Sequence, residues 1–377
     1  MVVVADINTL WRRRPFQALS NLRPVLGLMP MDPLVAMKQR RLPWGTTRNT
    51  LQKMNLRSVV LPFGWATRTA TSALPRLWSA ASKECRSIGT EPTALIVTSP
   101  HYAPLVQQLS EDISTFYYCS DDYLNYSGWD ADRMREQEAL IVRQARHSFF
   151  VSAALRERAV REYGVDATRV AVSMNATDEE FLSSVSPSEI ERLLQRFPKL
   201  KRPIAGVIGG INERLDYALL LQVAELSELG TLLLVGPIAD PNDAELAALL
   251  KHPRVVAVGH QPHESLPIWQ QMLDVALIPY RESAFNRFCS PLRLFDHLAV
   301  ARPIVATAAC EQVHEFGDWV KAAKDTVEFL AMVVDSVKET DETPCRRRRE
   351  CAAQHTWKAR ASAMDAVLGT KLSQPSL

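Results

Sequence analysis

The stretch IAGVIGGINERLDYALLLQVAELSELGTLLLVGP, Ile204 to Pro237, decides the fold. A short β-branched run, IAGVIG, ends at Gly209 and Gly210; a helical stretch opens near Leu215; a second apolar run, TLLLVGP, follows from Thr231. Runs this uniformly apolar suit strands buried on both faces, as in a parallel sheet flanked by crossover helices. Downstream, VVAVGH from Val255, DVALIPY from Asp274 and PIVAT from Pro303 continue the alternation. Upstream, strands are expected at VVVAD (Val2), VLGLM (Val25), SVVLPF (Ser58), ALIVTSP (Ala94), TFYYCS (Thr115), SFFVS (Ser148) and VAVSMN (Val170), most of them separated by helical stretches. The class is α/β. Between the two series lies SSVSPSEIERLLQRFPKLKRP, residues 183–203, polar and proline-bearing as a connection between domains should be. The expected order is a domain over residues 1–182, a linker over 183–203 and a second domain over 204–345.

Length agrees: 377 residues at roughly 100 to 200 per domain give two domains. With 44 Lys and Arg against 42 Asp and Glu, 47% apolar and 23% charged residues, the composition is that of a globular protein and excludes disorder as the main state. Six cysteines without a C-x-x-C pair indicate neither a zinc knuckle nor a disulfide scaffold, and fit a reducing cytoplasm. No run approaches the roughly 18 apolar residues of a membrane span, and the arginines of MVVVADINTLWRRR follow the apolar stretch instead of preceding it, against a secretion signal. Basic runs at Arg12 to Arg14 with Lys38, Arg40 and Arg41, and at Arg346 to Arg349, read first as solvated faces. The N-terminal one, with Trp11, Trp44, Phe63 and Trp65 near it, also suits an anionic acceptor or peripheral contact with the inner face of a membrane. Nucleic acid is not an expected partner.

Candidate chemistry concentrates at strand ends. Gly209 and Gly210, with Asn212 after them, sit at a strand-to-helix turn where backbone can approach a phosphate, though a tight turn alone explains them equally well. In FCSPLRLFDHLAVARPIVAT, Phe288 to Thr307, Ser290 and Pro291 are a good N-cap and N1 pair, so a helix is expected from Pro291 through Leu292 to the residues before Pro303. Arg293 then lies in the first turn, where a cation opposes the helix macrodipole and a bound phosphate would resolve the conflict. Asp296, about one turn on, can accept from ribose hydroxyls; alternatively Arg293 and Asp296 merely pair at i,i+3. Tyr280, after Pro279 at a strand end, is a pocket-lining candidate, and the ESAFNRF loop from Glu282 to Phe288 is expected over the same ligand. In the first half, His101, Asp121 and Asp122 each follow a strand, the edge of an open sheet where ligands bind. One could serve as base or orient a substrate, against the plainer reading of turn and capping residues.

The order of Gly209-Gly210-Ile211-Asn212, Asp216, LLLVGP, VGHQPHESLP, DVALIPY and SPLRLFDHLAVARPIVAT resembles the C-terminal domain of bacterial GT-B glycosyltransferases, especially the group 1, family 4-like enzymes of exopolysaccharide and teichuronic-type polymer synthesis. TSPHYAPL, FYYCSDDYLNY, ARHSFFVSAAL and MNATDEEF are similar to the blocks leading out of the N-terminal domain, and HTWKARASAMDAVL resembles the C-terminal helix that returns to it, here within residues 346–377. The likeness covers about Ala94 to Leu368.

It implies two Rossmann-like domains with parallel sheets facing a central cleft. A nucleoside-diphosphate sugar would be the donor in the second domain, with Gly209, Gly210, Asn212, Tyr280, Ser290, Pro291, Leu292, Arg293 and Asp296 around it. A glycan or lipid-linked saccharide would be the acceptor against the first, with His101, Asp121 and Asp122 as catalytic candidates. No cofactor is implied, and positive groups take the place of a metal; adjacent Asp121 and Asp122 lack the D-x-D spacing. A retaining outcome follows from the analogy alone. Departures from the family pattern are Asp296 for Glu, His297 for Tyr, Ala301 for Gly and Ala176-Thr177 for Gly-Val. They keep open a non-catalytic protein that binds nucleotide sugar or scaffolds; a sugar-nucleotide epimerase of the same fold is a separate alternative.

Overall fold

The computed structural model describes residues 1–38, 46–47, 54–339 and 341–370. The chain forms two compact units, Met1–Met174 with Trp357–Leu377, and Asn175–Thr356. The division falls before the polar stretch at residues 183–203. That stretch lies in the second unit, where Pro187–Arg196 is a helix closed by a Ser186/Glu189 capping box and burying none of its residues. The return to the first unit begins at Trp357, later than residue 346.

The first unit carries strands β1 (Val2–Ala5), β2 (Val25–Met31), β3 (Thr46–Thr47), β4 (Asn55–Val60), β5 (Ala94–Val97), β6 (Ser114–Cys119), β7 (His147–Phe150) and β8 (Val170–Val172). They lie in the order β3-β4-β2-β1-β5-β6-β7-β8, all parallel except the antiparallel edge pair β3–β4. Every residue of β1, β2 and β5 is buried, which explains why their sequences run apolar without alternation. The chain leaves β1 for β2 and β4 on one side, then returns to β1's other side with β5. Loops after β1 and β5 therefore diverge and open a crevice at the carboxyl ends of the strands, where open α/β sheets bind ligands.

The second unit repeats the plan with β9 (Ile204–Ile208), β10 (Thr231–Val235), β11 (Val255–Gly259), β12 (Val275–Ile278), β13 (Ile304–Thr307) and β14 (Lys321–Ala323). The order is β11-β10-β9-β12-β13-β14, parallel throughout, so the reversal falls between β9 and β12. All twelve strands expected from the sequence form; β3 and β14 were not legible. Lys321-Ala322-Ala323 has no β-branched residue and is a strand only because Ala306 and its neighbours on β13 offer it partners. The two-domain Rossmann-like expectation is met in each unit.

Candidate functional site

In the second unit, five of the residues singled out in the sequence come together at the β9/β12 reversal. Gly209, just after β9, has a φ of +115°, a left-handed conformation that glycine adopts without a Cβ penalty. A Cβ on Gly236 would lie 1.9 Å from the Gly209 carbonyl oxygen, so the turns after β9 and β10 touch through bare backbone. Arg293 reaches into this turn, its Nη2 donating to the Gly210 carbonyl at 3.1 Å. Tyr280, after β12, is buried, with the Arg293 guanidinium 5.4 Å and the Arg214 guanidinium 4.8 Å from its ring centroid. Asn212 shapes the turn, its side-chain oxygen accepting from the Arg214 N–H at 3.3 Å.

The helix carrying Arg293 is Leu292–Ala299, with Pro291 as its N-cap and no side chain capping it. Ser290 is not the cap expected from the sequence. Its hydroxyl donates to Gln312 Oε1 (2.7 Å) and accepts from the Asn175 N–H (3.0 Å), so it is spent on two other segments. The helix start is left without a side-chain acceptor, which suits it to an anion. The i,i+3 pairing of Arg293 with Asp296 does not occur. Asp296 accepts instead from Thr177 Oγ1 at 2.8 Å. Among the described residues no carboxylate pairs with Arg293, and its Nη1 is buried with no hydrogen-bond partner. Burial pulls the guanidinium below its ordinary range, with nearby Arg214 pushing the same way. Leaving a buried cation unmatched is costly, and an anion supplied from outside would remove that cost.

Three partners in this site escaped the sequence reading. Arg214 donates through Nε to Asn286 Oδ1 at 2.8 Å, and the Asn286 amide donates to the Arg214 and Arg281 carbonyls. Fully buried Asn286 lies in the short helix Ala284–Phe288, inside the loop expected over the ligand. Thr177 and Arg214 sit outside helices and strands, where no periodicity separates a buried polar residue from a solvated one. His297, where the family pattern has Tyr, is fully buried with neither ring nitrogen hydrogen-bonded; burial, then Arg293, holds its pKa down to about 3.

In the first unit the corresponding crevice, between the loops after β1 and β5, is a cavity of about 530 Å³. Asp6, Arg12, Trp65, His101, Trp129 and Arg133 line it. His101 lies in the 3₁₀ turn Pro100–Tyr102, its ring 4.4 Å from that of Trp129 and its Nδ1 buried without a partner. Burial, then Arg133 and Arg12, lower its pKa to about 4, so at neutral pH the imidazole is an uncharged hydrogen-bonding group and a weak proton acceptor. Arg12, counted in the sequence with the surface basic run, is buried and pairs with Asp6 at 2.8 Å. Lys38 ends a described helix, but nothing is described of its side chain, and Arg40, Arg41 and Trp44 lie outside the described residues.

The two aspartates after β6 are not among the residues that line this cavity. Asp122 is fully buried, its Oδ1 held by Arg158 Nη1 at 2.8 Å, while Glu138 in the same cluster accepts from Tyr117 and Tyr163, both at 2.6 Å. A carboxylate so paired ties the end of β6 to the helix Ala153–Tyr163. Asp121 accepts from the Tyr126 hydroxyl at 2.9 Å and from the Asp122 N–H at 3.1 Å.

Two parallel α/β units, each with a crevice at its sheet reversal, constitute the GT-B fold, and solved structures agree. HepE of Anabaena in complex with UDP superposes with a TM-score of 0.70 at 14% identity, over 97% of this chain and 98% of that one. The sucrose-phosphate synthase of Thermosynechococcus elongatus gives 0.71 at 16%, over 97% and 98%. In sequence, the chain is 26% identical over 229 residues to a Bacillus subtilis protein named "Putative teichuronic acid biosynthesis glycosyltransferase TuaH". That match covers 59% of this chain and 57% of TuaH, so it spans little more than half of the curated relative. No protein-family model matches the chain.

Proposed function

We propose that the protein is a glycosyltransferase that moves a sugar from a nucleoside-diphosphate sugar to a glycan or lipid-linked saccharide in cell-surface polysaccharide synthesis. One observation carries this reading: Arg293, buried in the first turn of an uncapped helix against the Gly209–Gly210 turn, without a carboxylate partner. A diphosphate satisfies that guanidinium and the helix N–H groups together, and in the transition state the same groups stabilise the charge growing on the leaving nucleoside diphosphate. Asp296 stands one turn along the helix for the ribose. The likeness to TuaH and to HepE, whose structures hold UDP and UDP-glucose, supports a nucleotide sugar as donor. The His101 cavity, with two indoles for stacking on a sugar ring and charged groups for its hydroxyls, is the acceptor subsite in this reading.

Among the described residues no helix is long and apolar enough to cross a membrane. Exposed Trp11, Leu34, Met37 and Phe63 on the first unit support peripheral contact with a lipid surface carrying the acceptor. Calorimetric titration with UDP, GDP, ADP and their sugar conjugates tests the donor assignment. Selective binding by the wild type that is lost in Arg293→Ala is expected; equal affinity in that variant removes the site.

A further inference from the structure

We propose that Thr177 is a positioning residue for the nucleotide: its hydroxyl fixes the Asp296 carboxylate in the orientation that accepts from the donor's ribose. The proposal rests on the reading of the second unit as a nucleotide site and adds to it a residue lying 119 positions from Asp296 in sequence.

Thr177 is fully buried, and a buried hydroxyl needs a hydrogen-bond partner. Its shortest contact is with Asp296 Oδ1 at 2.8 Å, a charge-assisted bond. The segment presenting it is clamped beforehand. Asn175 is bound to Ser290 twice, N–H to hydroxyl at 3.0 Å and side-chain amide to carbonyl at 2.7 Å. The Thr177 N–H donates to the His355 carbonyl at 3.0 Å, and Asp178 Oδ2 meets His263 Nε2 at 2.8 Å. Residues 175–178 therefore grip the Leu292–Ala299 helix at its start and again one turn along it. The geometry has a purpose beyond bracing. Asp296 is only half-buried on its helix, and the bond from Thr177 restricts the rotamers its carboxylate can adopt. A carboxylate has about four acceptor positions, of which Thr177 takes one, so the bond orients the group without exhausting it.

Two departures noted in the sequence become one device on this view. The acid at position 296 is a methylene shorter than the usual Glu, and the residue at 177 is Thr in place of the isosteric Val. The hydroxyl supplies the donor that Val lacks, and it lands on the shortened carboxylate.

The test compares affinity for whichever of UDP, GDP and ADP binds tightest with affinity for its 2′,3′-dideoxy form, in wild type, Thr177→Val, Thr177→Ser and Asp296→Ala. The wild type should prefer the ribose form by about tenfold, the scale of one hydrogen bond to a charged group. That preference should vanish in Asp296→Ala, fall by about fivefold or more in Thr177→Val and return in Thr177→Ser, while dideoxy affinity stays constant in all four. If Thr177→Val does not fold, Thr177→Ala takes its place with the same expectation. A Thr177 variant that keeps the full ribose preference, or weakens both forms equally as a mere brace would, overturns the proposal and leaves the donor site standing. A wild type that binds none of the three nucleotides overturns the donor site and the proposal together.

Discussion

The two units place their crevices at the same point of the same topology and charge them in opposite ways. In the first the buried ions are matched: Arg12 with Asp6 in the crevice after β1 and β5, and, after β6, Arg158 with Asp122 and Glu138. In the second, after β9 and β12, Arg293 is buried with an unsatisfied Nη1 and no acid partner among the described residues. Matched charge holds a scaffold together, whereas unmatched charge is stability withheld until a ligand arrives. In the proposed function this difference is the ground for putting the diphosphate in the second unit, while the first keeps a cavity with paired ions and an aromatic wall.

The sharpest way to break this comparison is to remove one partner of the matched pair. Asp122→Ala should cost about 3 kcal/mol of stability, the upper end for a buried charge-assisted bond, since Arg158 keeps Glu138. Denaturant unfolding measures it, and a loss below 1 kcal/mol would show that the pair is not the strut it looks. Next in size, Arg293→Met should weaken nucleotide binding by about 1.5 to 3 kcal/mol while raising the melting temperature, since it removes an uncompensated charge and keeps the packing volume. A drop in melting temperature would contradict the unmatched-charge reading.

A smaller effect concerns acid stability. His297 and His101 are held neutral, at about 3 and about 4, against an ordinary 6.5. The folded protein thus refuses protons that the unfolded chain binds below about pH 6.5. Their contribution is complete above that pH and is lost as pH falls toward 4 and then 3. His297→Phe should flatten the decline in unfolding free energy between pH 6.5 and 4 by on the order of 1 to 2 kcal/mol, and His101→Asn should flatten it less, because that ring borders an open cavity. Equal slopes in wild type and both variants would refute the assignment. Smallest of all, Ala301→Gly should stabilise by about 1 kcal/mol. Ala301 follows the Leu292–Ala299 helix at a φ of +63°, where the resembled pattern has Gly, and carries a Cβ that this conformation disfavours.

Much of this was legible in the sequence because it is periodic or punctuated. Apolar runs gave twelve of the strands, and Gly209-Gly210 and the Pro291 region marked the turn and helix start that the structure brings together around Arg293. What could not be read was the pairing of polar groups across sequence distance. Ser290 looks like an N-cap from its neighbours and is taken by Asn175 and Gln312. Asp122 looks like a strand-end ligand and is taken by Arg158, 36 residues away. Local pattern identifies which groups can form a bond; only the fold decides which partner reaches them first.

The first unit is not continuous in the chain. Its closing helix, Trp357–Gly369, packs on Leu10–Leu19, and Arg23 bonds Asp365 across 342 residues. On the ribosome the second unit is finished before the first has its last piece. The helix Leu10–Leu19 thus waits with part of its surface uncovered through most of translation, and a chain stalled before Trp357 exposes an apolar face of the kind that chaperones bind.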